Sequence, residues 1–173
     1  MDSSQKSIGQ RFQRTGTAAV DFHQGNEIFK QKISLGDKAE IYNAELTGLV
    51  VGVRTAISKT EFLPRVHHIH IFADNVSTIK TISDLKPCQG QLLVYTFYQH
   101  MLQWLQKNPV NTLRVTWCPG HTDIPGNEQV DQLVKEATLL PLSVEPTITH
   151  NTYHICKCLK RDWTTLWRNS SPQ

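Results

Sequence analysis

The sequence predicts a mixed α/β sheet, and two observations carry that prediction. The chain opens with two β-rich runs joined by turn residues, and strand-like runs then alternate with segments of helical period. Thr17–Phe22 is the first strand, His23-Gln24-Gly25-Asn26 supplies the turn, and Glu27–Leu35 returns as the second. Gly36-Asp37 closes this hairpin.

The period then changes. From Ala39 to about Ser58, the residues Ile41, Ala44, Glu45, Leu49, Val53 and Ile57 share one face at helical spacing, which predicts an amphipathic helix. His67–Ala73 alternates, with Ile69, Ile71 and Ala73 on one side, and ends in Ala73-Asp74-Asn75. A short helix over Val76–Ser83 stops near Pro87 and Gly90. A longer one over Gln91–Lys107 carries the stripe Leu93, Phe97, Met101 and Trp104, and Asn108-Pro109 ends it. Leu113–Cys118 is the next strand, Pro119–Gly126 a loop, and Asn127 an N-cap for a helix through Ala137. Pro141–Pro146 reads as a linker. After it Tyr153, Cys156, Leu159, Trp163, Leu166 and Trp167 mark an amphipathic tail helix edged by Lys157, Lys160, Arg161 and Arg168. The expected organisation is one domain over residues 1–140, followed by a linker and basic tail over 141–173.

Composition bounds the function. With 39% hydrophobic and 19% charged residues, the 173-residue chain fits neither a disordered nor a membrane class. No apolar run reaches the ~18–20 residues that span a bilayer. The start, Met-Asp-Ser-Ser-Gln-Lys, has no apolar stretch of the secretory kind, so an intracellular protein is expected. A net charge of +3 permits a nucleic-acid partner without arguing for one. Cys88, Cys118, Cys156 and Cys158 are read as reduced thiols, because Cys156 and Cys158 lack metal-ligand spacing and a matching second pair.

Three carboxylates occupy telling places. Glu45 lies on the apolar face of the first helix, Asp74 ends a strand whose inward residues are apolar, and Asp131 sits in the last helix. A buried carboxylate is costly alone, and a hard divalent cation such as Mg²⁺ is one partner that suits several. Taken singly, Glu45 and Asp131 also read as solvated helix residues and Asp74 as a helix cap.

The segment Trp117-Cys118-Pro119-Gly120-His121-Thr122-Asp123-Ile124-Pro125-Gly126-Asn127-Glu128-Gln129-Val130-Asp131 narrows the choice. It resembles the last motif of type 1 ribonucleases H: a strand, Pro-Gly-His, a short loop, Gly-Asn-Glu and an Asp. Ala-Glu-Leu around Glu45 and Ala-Asp-Asn around Asp74 fall in that family's order. The basic tail with Trp163 and Trp167 resembles the region after the ribonuclease H domain of fungal non-LTR retrotransposon polyproteins. The resemblance implies a ribonuclease H-like fold, with a mixed five-stranded sheet flanked by helices. It also implies endonucleolytic hydrolysis of the RNA strand of RNA–DNA hybrids, using two Mg²⁺ ions (or Mn²⁺) roughly 4 Å apart. Glu45, Asp74 and Asp131 match the family's metal-binding acids. His121 matches its histidine, which shuttles protons or helps product leave; its bland reading is a turn residue capping the loop.

The family's fourth acid stands on its first strand as Asp-Gly-Ser, a triplet this chain does not contain. Asp2, in Asp2-Ser3-Ser4, is the better match. Taking Asp21 instead leaves one strand before the Glu45 helix where the family has two; Asp21 stays the alternative. Since Met1 alone precedes Asp2, the first strand is expected to be truncated, as in an eroded retroelement copy. Hybrid contacts are expected from Asn75, Lys80 and Lys86, with Lys107 and the tail assisting, at phosphates and 2′-hydroxyls rather than bases. Asn75 is equally well placed as a plain helix cap. A monomer is expected, with a reverse transcriptase domain as a candidate partner and no membrane. Two rival readings are a catalytically inactive hybrid-binding remnant and a metal-free interaction module built on the tail.

Overall fold

The structure is a computed structural model that describes residues 14–37, 39–63, 65–84, 88–120, 122 and 124–141. The linker and tail helix expected over 141–173 fall outside them, apart from Pro141. The elements follow the order β1 (Thr15–His23), β2 (Asn26–Gly36), α1 (Ile41–Lys59), β3 (His68–Ala73), α2 (Val76–Ser83), α3 (Gln91–Lys107), β4 (Thr112–Trp117) and α4 (Pro125–Ala137), with a 3₁₀ turn at Thr60–Phe62.

The hairpin is tight because its two central residues accept positive φ. Gln24 at 51° and Gly25 at 81° form the two-residue turn whose twist matches the flanking strands. β1 and β2 then pair antiparallel from His23↔Asn26 back to Thr15↔Gly36. β3 and β4 pair parallel, from His68↔Thr112 to Ala73↔Trp117. Polar side chains reinforce that parallel pair on its outer side, where His68 meets Thr112 and His70 meets Thr116. The Trp104 indole N–H donates to the Thr112 carbonyl at 3.0 Å, which fastens α3 to the start of β4.

The helices α1, α2 and α3 cover the β3–β4 pair. Leu46, Leu49, Val50 and Val53 from α1, Ile82 from α2, and Val94 and Phe97 from α3 form the main core. Ile71, Ala73, Leu113 and Val115 of the two parallel strands pack against it. A second cluster joins Val51 of α1 to Ala19 and Ile33 of the hairpin. Along β1 the faces alternate as a strand requires. Ala19 points towards α1, whereas Phe22 lies against Gly126 of α4. So α1 and α4 pack on opposite faces of β1.

Two expectations need correction. The described residues hold four strands in two separate two-stranded sheets, β1–β2 and β3–β4, and not the single five-stranded sheet the resemblance implies. Strands β1 and β3 stand on either side of a cavity of about 760 Å³ and share no ladder of hydrogen bonds, so nothing described joins the pairs into one sheet. The last helix also starts earlier than expected. Its N-cap is Ile124 with Pro125 in the first turn, and Asn127 lies inside it. Proline's fixed φ and missing N–H suit a first helical position, and this outweighs the capping preference of Asn127.

The α1 face sets the fold's stability. Leu46 is 1% exposed and Ile41, on the same helix, is 69% exposed. Leu46→Ala is expected to lose about 2–5 kcal/mol in chemical denaturation. Ile41→Ala should stay within about 0.5 kcal/mol.

Candidate active site

The site is built where three elements meet at one end of the parallel strands. Glu45 projects from the second turn of α1, Asp74 directly follows β3, and Asp131 comes from α4. All three are half-buried. Glu45 carries the consequence: its carboxyl is pushed up to about 7, first by burial, then by the charges of Asp74 and Asp131. That coupling places the three acids in one electrostatic neighbourhood although 86 positions (131 − 45) separate the outer two in the sequence.

Backbone contacts fix Asp74. Cys118 N–H donates to the Ala73 carbonyl at 2.9 Å, and the Trp117 indole N–H donates to the Asp74 carbonyl at 2.9 Å. The chain leaving β4 therefore passes directly over the acid. At Gly120 a Cβ would stand 2.9 Å from Asp74 Oδ2, closer than real Cβ contacts allow, so a larger residue there would displace the carboxylate. Burial, then Asp74, push the Cys118 thiol up, which keeps it neutral and unreactive. Its sulfur lies 3.8 Å from Asn127 Oδ1, and the Asn127 amide nitrogen is buried with no hydrogen-bond partner among the described residues. Gly120 and Asn127 are thus site residues that pattern reading missed. Their signal was present in Pro-Gly-His and Gly-Asn-Glu, but an approach of loop to carboxylate is a tertiary fact.

The other expected residues divide. Asn75 caps α2, its Oδ1 accepting from Ser77 N at 2.9 Å and Thr78 N at 3.2 Å, so the plain capping reading is the one seen. Lys80 is exposed in the last turn of α2. Asp2, Lys86 and His121 lie outside the described residues. Asp21 is set apart from the acids. It hydrogen-bonds Thr55 and faces Lys59, which lower its carboxyl, while burial, the larger influence, raises it. Thr55 is ten residues along α1 from Glu45, about 15 Å at the helical rise.

Whether the acids suit a divalent cation can be tested on their chemistry. Carboxylate oxygens are the donors that hard cations prefer, and a cation would relieve the repulsion that raises Glu45. Among the described residues, however, no three Asp, Glu, His or Cys side chains are grouped closely enough to hold an ion. The donor set fits in kind, and the described part of it is not drawn together.

No protein-family model matches the chain. No curated protein matches it either. A solved structure of RNase H1 from the halophilic archaeon Halobacterium salinarum is similar at 14% identity, over 72% of this chain and 96% of that one, with a TM-score of 0.46.

The raised carboxyl fixes the sign of a pH effect. Unfolded, Glu45 ionises near 4.5; folded, near 7. The folded chain holds a proton that the unfolded chain has released, so stability falls as pH rises through that window and levels off above it. Glu45→Gln should therefore raise the melting temperature at pH 8 and leave it unchanged at pH 4. The gain is expected at about 1–3 kcal/mol, because a half-exposed carboxylate realises less than the full shift. Equal effects at both pH values would mean that packing, not charge, governs Glu45.

Proposed function

We propose that the chain is a divalent-cation-dependent hydrolase of the RNA strand in RNA–DNA hybrids. One observation carries the reading: carboxylates from three separate elements share a pocket that holds Glu45 near pH 7. A fold gains no stability from gathering like charges, so such a cluster points to a ligand that neutralises them. The Pro-Gly-His and Gly-Asn-Glu segments around it support the choice of substrate by their resemblance to type 1 ribonucleases H.

In this reading Glu45, Asp74 and Asp131 hold the cation, with Asp2 as a fourth acid. When bound, a divalent cation polarises a phosphoryl oxygen and makes water a better nucleophile near neutral pH. The chain's own residues do the rest. The backbone at Asp74 is kept in place by the β3 and β4 ends, and Gly120, which precedes His121 in the sequence, lies close to its carboxylate. His121 then serves as the proton carrier for the leaving oxygen. Lys80 and Lys86 contact the phosphates of the hybrid, and Asn75, its oxygen engaged as a cap, offers its amide N–H groups.

A second reading, hybrid binding without cleavage, is favoured by one specific observation: no metal-holding group of three is assembled among the described residues. The two separate in one assay. Hybrid cleavage with Mg²⁺ should fall at least 100-fold in Asp74→Asn, measured on a labelled RNA–DNA duplex, while binding to the hybrid persists. Saturable binding with no cleavage by the unaltered chain supports the second reading. A further check needs no substrate. Mg²⁺ should raise the melting temperature at pH 8, and by less in Asp74→Asn.

A further inference from the structure

The helices that carry Glu45 and Asp131 lie on opposite faces of β1, and each approaches that strand through a glycine contact. We infer that Gly16 is a positioning residue for Asp131: its missing side chain lets α4 seat directly on β1, which sets where the acid stands relative to Glu45. The inference rests on the reading of the three acids as a cation site and adds the contact that holds the site in shape. Steric distances carry it. A Cβ at Gly16 would stand 2.7 Å from the Ala137 Cβ, 3.0 Å from the Val134 carbonyl oxygen and 3.2 Å from the Thr138 nitrogen. These atoms belong to the end of α4, where the Thr138 N–H donates to the Val134 carbonyl at 3.2 Å. They are backbone and a fully buried methyl, so no flexible side chain swings aside to make room. Nor is glycine needed at this position for its conformation. The positive-φ glycines are Gly25, Gly36 and Gly90, whereas Gly16 holds a backbone that other residues adopt. Space is what the position demands.

α4 meets β1 again near its other end, where a Cβ at Gly126 would stand 3.7 Å from the Phe22 ring. Gly16 and Phe22 share one face of the strand, about 20 Å apart, and Gly126 and Ala137 are about 16 Å apart along the helix. The helix therefore rests on the strand at two points, with Asp131 between them. A side chain at position 16 lifts the Ala137 end, tilts α4 about the Phe22 contact and carries Asp131 away from its place. On the opposite face α1 comes as near: a Cβ at Gly48, one turn beyond Glu45, would stand 2.6 Å from Thr17 Oγ1. One strand thus spaces the two helices, and with them the two acids. The polar ties from α4 to β2, Lys32 to Glu136 at 2.8 Å and Gln129 to Glu27, run through long exposed side chains. They follow a tilt rather than resist it.

Mn²⁺ binding to the full chain at pH 8, read from the paramagnetic resonance of the free ion, tests the inference without relying on cleavage. Gly16→Ala should weaken binding about threefold, and Gly16→Val about tenfold or more, because small displacements of metal-holding groups are costly. Ala137→Gly, added to Gly16→Ala, removes the methyl that the new Cβ meets and should restore most of the affinity. Ile82→Val lowers stability through the main core, away from β1, and should leave Mn²⁺ affinity unchanged. Thermal melting of each variant shows that it is folded under the assay conditions. Unchanged affinity in both Gly16 variants, a loss that Ala137→Gly does not reverse, or an equal loss in Ile82→Val overturns the inference and leaves the cation site standing. No Mn²⁺ binding by the unaltered chain sinks the cation reading and this inference with it. If Gly16→Ala does not fold even beside Ala137→Gly, the contact serves folding alone, and the inference also falls.

Discussion

The structure depends on α1 being buried on more than one side. Its Leu46, Leu49, Val50 and Val53 serve the parallel strands, while Val51 reaches the hairpin. No ladder of hydrogen bonds joins the two strand pairs among the described residues, so hydrophobic contact through this helix is a principal tie between them. The 17 residues of α3 and the 13 of α4 then take up the remaining faces, α3 beside α1 over β4 and α4 on the far side of β1. Such a tie is non-directional, unlike a ladder.

The same helix creates the electrostatic problem at the site. Packing α1 against both pairs carries Glu45 into a half-buried position facing the end of β3. There the Trp117 indole N–H and the Cys118 N–H donate to the Asp74 and Ala73 carbonyls, which fixes the backbone that carries the Asp74 side chain. Asp131 arrives from α4 on the other side. Desolvation and two like charges act in one direction on Glu45, and neither alone stands first by chance: burial is the larger influence and the neighbours add to it. The contrast with Asp21 is informative. It too is raised by burial, but there the Thr55 hydroxyl and Lys59 act in the opposite direction. The neighbours of Asp21 oppose the effect of burial, and those of Glu45 add to it.

Much of this was legible in side-chain period. α1, β3 and α3 were read from alternation or helical spacing, because their burial follows directly from those periods, and the hairpin from its turn residues and β-branched and aromatic enrichment. The last helix was placed three residues late because two rules competed, and proline's backbone constraint outranked the preference of Asn127 for a cap. Asp74 and Glu45 could be singled out as acids in apolar settings, but the separation of Asp21 from them could not. It depends on which turn of α1 faces which end of β1. The five-stranded sheet was an inference from resemblance, and strand pairing between distant segments leaves no local mark. Gly120 illustrates the same limit: its close approach to the Asp74 carboxylate exists only in the folded chain.

The central claim is that Glu45, Asp74 and Asp131 form one coupled cluster. Its most direct test is a carbon-detected NMR titration of the Glu45 side-chain carboxyl, in the unaltered chain and in Asp74→Asn. The account predicts an ionisation near pH 7 that moves clearly downward when the Asp74 charge is removed. An ionisation near the ordinary value of 4.5, or one that Asp74→Asn leaves in place, would contradict it.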